Sequence, residues 1–291
     1  MRVRKVVRAA ADGYSSGLVM GIHASADAEL LALELALASA RIERIKQDPQ
    51  GLFGEVRDLA RDGQIEEALW LTFLVAAVGV LESDDPFAEI ERARVPWATG
   101  AAIDAAEIQT GPRGVTSGAQ LPTTINAYRA WAHRGTTQQA ALSGDRSWAP
   151  QRRFDRAFER LALPGFGRAA RFEFVVLTGA LRLIDAEPWS LQVASEPRDT
   201  AVLAAKRIFG IGDPLLLERR AGDLAKACNL APAALDLALV NWSRRTDDPA
   251  AQRWSGGVPA PADEELLALI RAELGLYDAE AEDEPSEDEP A

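Results

Sequence analysis

The chain has 291 residues, 47% hydrophobic and 26% charged, with a formal charge of −12. That balance excludes a fully disordered chain, a collagen and a small disulfide scaffold. One cysteine, Cys228, and two histidines, His23 and His133, exclude an internal disulfide, a thiolate-built zinc or iron–sulfur site and a histidine-rich metal centre, and they suit a reducing cytoplasm. No residue pattern calls for a metal or a cofactor.

Charge is unevenly spread. Asp278–Ala291 holds eight acids and no base, so residues 1–277 carry only −4 of the −12. This low-complexity end predicts a disordered acidic tail. Residues 151–171 run the other way, with six arginines against Asp155 and Glu159, a net +4.

In chain order, residues 1–24 read as an N-terminal extension, and Met1–Leu30 lacks the apolar core and small-residue cleavage site of a signal peptide. Val3–Val7 alternates with basic residues and predicts a short strand, with Asp12-Gly13 as a hairpin turn. Asp27–Lys46 repeats apolar residues at helical spacing. Ile65–Leu81 is an apolar helix with acids at its start; its run Ala68–Leu81 is too short to span a bilayer. Arg94–Gln120, with four glycines, reads as a loop. Pro122–Arg134 is a helix, and Gln151–Leu161 is amphipathic, with Phe154, Ala157, Phe158 and Leu161 on one face. Ala169–Leu183, Thr200–Phe209, Pro214–Cys228, Pro232–Trp242 and Ala262–Leu274 complete the helices, with Arg245–Pro261 as a linker. The expectation is an all-α domain over 25–277 and a tail over 278–291.

The informative motif is Leu163-Pro164-Gly165-Phe166-Gly167-Arg168-Ala169-Ala170. As a dinucleotide loop it lacks the preceding strand. As a helix-hairpin-helix, Pro164 breaks the first helix and two glycines permit positive backbone dihedrals. The N–H groups of Gly165, Gly167 and the next helix start then form a phosphate site that positions DNA without reading its sequence. A plain helix–helix turn is the competing reading. Downstream lies Asp199-Thr200-Ala201-Val202-Leu203-Ala204-Ala205-Lys206-Arg207-Ile208-Phe209-Gly210. Asp199 reads as an N-cap, a role compatible with that of a base.

Together these stretches resemble the helix-hairpin-helix DNA glycosylase superfamily, in which an L-P-G-x-G hairpin precedes a D-T-x-V-x-R-x-x-x-R stretch. Ala204 stands where the first of those arginines belongs, and Arg207 falls one residue short of the second. Gly167 and Asp199 are 32 residues apart, longer than the usual arrangement. Ala169 occupies the Schiff-base lysine position, which argues against a lyase. The stretches 66–79, 152–174, 199–225 and 234–242 are similar to the alpha-glutamyl/putrescinyl thymine pyrophosphorylase family, its clade 3 in particular.

That resemblance implies a glycosylase-like helical fold and a DNA base hypermodification enzyme. An amine such as putrescine or glutamate would displace pyrophosphate from a diphosphorylated 5-hydroxymethyl pyrimidine in DNA. It implies Asp199 as the catalytic carboxylate. DNA contacts would come from Gly165, Phe166, Gly167, Arg168, Lys206 and Arg207. A monofunctional glycosylase and a non-catalytic DNA-binding module are the alternatives.

Of the remaining residues, Trp70, Trp131, Trp148, Trp189 and Trp242 read as packing residues, Trp189 being the best candidate to stack on a base. Gln138-Gln139 could fill the gap left by a flipped base but reads more simply as a pair of solvent-facing amides, Cys228 as a small buried residue, and Gly210, Gly212 and Asp213-Pro214 as a helix stop and restart.

Overall fold

In a computed structural model, residues 9–105, 107–115, 117–244 and 260–276 are described. Among them there are twelve α-helices, three short 3-10 turns and no strand. The helices are α1 (Ser25–Gln47), α2 (Gly51–Arg61), α3 (Ile65–Val78), α4 (Ala88–Ala93), α5 (Leu121–Arg134), α6 (Gln138–Ser143), α7 (Pro150–Arg160), α8 (Arg168–Ala180), α9 (Thr200–Phe209), α10 (Pro214–Ala227), α11 (Pro232–Ser243) and α12 (Glu264–Leu274). The alternating segment Val3–Val7, nearly all of the linker 245–261 and the acidic tail lie outside the described residues. No helix among them is long and apolar enough to cross a membrane.

Two helices organise the interior. From Ala68 to Val78, α3 is buried on every side, as its apolar run requires. It packs against α2, α4, α5, α6 and α8. Its Trp70 and Phe73 join Tyr128, Phe166 and Phe174 in an aromatic cluster, with Phe73 and Tyr128 stacked at 3.7 Å. The second organiser is α11, buried from Ala233 to Asn241 and packed on α1, α9 and α10. The two groups meet along α1 and α8.

The glycine-bearing segment between α4 and α5 is a loop with a structural task. Gly79 ends α3 at φ +78°, and the chain returns so that Val115 N–H donates to Ala77 O at 2.8 Å. A Cβ on Gly114 would lie 2.2 Å from Val78 O, so only glycine allows this approach. The close return drives Arg113 into the interior, where it is 4% exposed. One expectation is corrected and one holds. Gln138 is fully buried, taking the Tyr128 hydroxyl and donating to Glu66 O. Cys228 is buried as expected, and burial pushes its thiol up to about 12.

Candidate active site

The hairpin forms between α7 and α8. α7 begins on Pro150, whose fixed φ and missing N–H suit a first helical turn. Its Phe154, Ala157 and Phe158 face the core. Gly165 turns the chain at φ +75°. Space as well as dihedral requires glycine there, because a Cβ would meet Thr124 Oγ1 at 2.5 Å. That hydroxyl donates to Pro164 O at 2.8 Å and pins the turn against α5. Gly167 differs from the expectation: its φ is −66°. What it supplies is room, since a Cβ would lie 3.1 Å from Glu196 Oε2. The N–H groups of Gly165 and Gly167 donate to no protein acceptor among the described residues. The next N–H, of Arg168, donates to Glu196 Oε2 at 2.7 Å. An internal carboxylate thus sits where an anion at the start of α8 would sit.

Two residues expected at a DNA surface point inward. Phe166 is 2% exposed and packs between Phe73 and Phe174. Arg168 is fully buried. Its backbone opens α8, and the side chain follows the helix into the seam between the two helical groups. There Nε donates to Leu191 O at 3.0 Å, Nη1 to Asp199 Oδ1 at 2.9 Å, and Nη2 to Asp236 Oδ1. The guanidinium is closed to a phosphate in this conformation.

Arg168 belongs to a larger ion cluster. Arg113 Nη2 donates to Asp236 Oδ2 at 2.6 Å and lies 3.2 Å from Glu173 Oε2. Arg41 Nη2 donates to Glu173 Oε1 at 2.7 Å. Three arginines and three carboxylates, from α1, the loop between α4 and α5, α8, the start of α9 and α11, therefore balance their charges inside the protein. Isolated ions could not remain there; mutual pairing offsets part of the lost hydration, Arg113 Nε and Nη1 finding no hydrogen-bond partner among the described residues.

The three carboxylates differ electrostatically. Burial pushes Asp236 up, but Arg168 and Arg113 outweigh it and hold the carboxyl below its ordinary value. Burial likewise opposes Arg41 and Arg113 at Glu173, and the arginines again prevail. At Asp199 burial wins: the carboxyl is raised, Arg168 and Arg113 pulling against burial and the nearby Asp236 charge. Asp199 caps α9, accepting from Ala201 N–H at 2.9 Å and Val202 N–H at 3.4 Å. These donors and Arg168 converge on Oδ1, and none of them uses Oδ2. The group is a desolvated carboxylate with one oxygen fixed and one without a hydrogen-bond partner among the described residues.

The two motifs paired in the sequence are therefore adjacent in space. Arg168, first residue after the hairpin, bonds Asp199, and Glu196 reaches back to the hairpin. Lys206 Nζ is held by Pro197 O at 3.0 Å, and the Arg207 guanidinium lies 5.7 Å from the Trp242 ring centroid; both residues are half-buried. Trp189 is 61% exposed and donates to Asp155 Oδ2 at 2.8 Å. On α7, Arg152, Arg156 and Arg160 are exposed at four-residue spacing, and the first and last lie over Trp148. Arg153 instead turns inward to Asp185 at 2.9 Å.

Sequence reasoning missed Arg41, Arg113, Glu173, Glu196 and Asp236. Asp236 and Glu173 did leave a signal, each a lone acid in an apolar run (ALDLALV, RFEFVV). Comparison of the chain with family models, with curated proteins and with solved structures gave no match.

Proposed function

We propose that the protein acts on a base of DNA, with the 163–167 hairpin holding a backbone phosphate and Asp199 serving as the reacting carboxylate. The observation that carries this reading is the 2.9 Å link from Arg168 to Asp199, which joins an anion-accepting turn to a desolvated carboxylate. The unengaged N–H groups of Gly165 and Gly167 suit a phosphate oxygen. A base would have to leave the stack to reach Asp199.

In the hypermodification reaction, an amine forms a C–N bond at the exocyclic carbon. The C–O bond to pyrophosphate breaks, and the leaving group departs with the electron pair. Asp199 Oδ2 takes the amine proton, a task suited to a carboxyl raised by burial. A cation developing at that carbon would be stabilised by the same carboxylate in a water-poor site. Phosphate contacts come from backbone N–H groups and from the exposed Arg152, Arg156 and Arg160.

One observation favours a second reading, a non-catalytic DNA-binding module. Three donors fix Asp199 Oδ1 inside a charge-balanced cluster, which is also how a purely structural carboxylate would be held.

The test is mass spectrometry of duplex DNA containing diphosphorylated 5-hydroxymethyluracil, incubated with the protein and a pool of amines. Loss of pyrophosphate with gain of an amine is the expected result. Loss of the whole base would make the protein a glycosylase. Bound but unchanged DNA would support the binding module.

A further inference from the structure

At the far end of α8 from the hairpin lies a cavity of about 380 Å³, within the range of small-molecule sites. Its lining includes Ile42 from α1, Val176 and Ala180 from α8, Ile184 from the following loop and Ala233 from α11. One wall is fixed by close backbone contact: a Cβ on Gly179 would lie 2.1 Å from Ala186 O.

The mouth carries Lys46, Arg182, Asp185 and Glu187. Two are engaged. Lys46 Nζ meets Glu43 Oε1 at 2.9 Å on the exposed rim, and Asp185 is bound by Arg153. Arg182 is exposed and forms no ion pair among the described residues. Its backbone is unusual: φ is +62°, at the position after the α8 C-cap Leu181, where Leu183 N–H returns to Thr178 O at 2.9 Å. That position favours glycine, and an arginine holds it only with strain. Arg57 caps the carbonyls of Ile45, Lys46 and Gln47; burial, and then the neighbouring Arg182 charge, lower its guanidinium, with Asp48 opposing. The four charges lining the mouth balance; with Lys46 paired to Glu43 and Asp185 to Arg153, Arg182 is the cation and Glu187 the acid that form no ion pair among the described residues.

We infer that this cavity binds a small organic anion with an apolar body, the body lying on Ile42, Val176 and Ala233 and the anionic group held at the mouth by Arg182. The inference is independent of the DNA reading and of Asp199.

The test uses the full chain and two fluorescent probes of similar apolar body, 8-anilinonaphthalene-1-sulfonate and the uncharged N-phenyl-1-naphthylamine. The sulfonate probe is expected to bind one site per chain. Arg182→Gly suits the left-handed backbone and should keep the fold. It is expected to weaken the sulfonate probe about tenfold, the loss of one charged hydrogen bond, with little effect on the neutral probe. Glu187→Gln is expected to tighten the sulfonate probe, and Ala180→Phe to block both probes, with Ala233→Leu as a milder filling variant. Equal affinity for both probes, sulfonate binding unchanged by Arg182→Gly, binding unaffected by the filling variants, or no binding would each overturn the inference.

Discussion

Replacing Arg168 by methionine is the sharpest perturbation of the ion cluster. The methionine fills much of the same volume but removes the donors to Leu191 O, Asp199 and Asp236. Asp236, with no exposure, then keeps only Arg113. Removing one partner of a buried ion pair costs about 3–5 kcal/mol, and folded domains hold only about 5–15 kcal/mol in all. At roughly 2 °C per kcal/mol for a chain of this size, the melting temperature should fall by about 6–10 °C. The pH dependence separates charge from packing. In the native protein Asp236 is held below its ordinary value, so it contributes stability above that value and loses it as pH falls. Without Arg168, burial dominates and the carboxyl rises, so its cost grows with pH instead. The gap between the two proteins should be widest near pH 7 and shrink toward pH 4. Urea denaturation at both pH values measures it. A loss under about 1 kcal/mol, the scale of an exposed pair, or a gap that does not change with pH would refute this account. Replacing Arg168 and Asp236 together with apolar residues should recover part of the loss.

Further predictions follow from other positions. Glu34 is 3% exposed, and burial raises its carboxyl from 4.5 to about 7, with Asn241 opposing. A raised carboxyl costs stability as pH climbs through that range, so Glu34→Gln should stabilise by about 3 kcal/mol at pH 8 and by little at pH 4.5, read from melting curves. Glu196→Ala should free the Arg168 N–H and tighten DNA binding in a gel-shift titration; weaker binding would mean that Glu196 supports the hairpin and does not compete with phosphate. Gly165→Val should weaken DNA binding and stability together, because φ +75° and Thr124 both oppose a side chain. Neutralising Arg152, Arg156 and Arg160 together should lower the slope of log affinity against log salt by up to about 2.7, three phosphate contacts' worth.

The helical pattern was legible in most segments that have one face or all faces apolar. Thr200–Phe209 is α9 residue for residue, with Asp199 and Gly210 as its caps, and the Asp213-Pro214 restart opens α10. α2 was not legible. It follows Pro49, starts on Gly51 at φ +56°, and carries a second glycine, Gly54, three residues on. α4 and α6 are six residues each, too short to show a period. At the site, the hairpin turn and the Asp199 cap were each legible as local motifs, whereas their meeting through Arg168 and Glu196 was not. The direction of Arg168 was not, since an arginine in a basic run looks the same in sequence whether its side chain meets solvent or two carboxylates from distant helices. Arg113 was hidden in a glycine-rich loop, and its burial depends on a backbone approach that only the folded chain reveals.

The most direct measurement compares the native protein with Asp199→Asn on the diphosphorylated DNA substrate, by mass spectrometry at single turnover. Asparagine can still cap α9, and circular dichroism checks that the fold survives the weakened Arg168 contact. The account predicts amine transfer by the native protein and none by the variant, with DNA affinity unchanged. Equal transfer by both proteins, or none by either while the DNA stays bound, would contradict it.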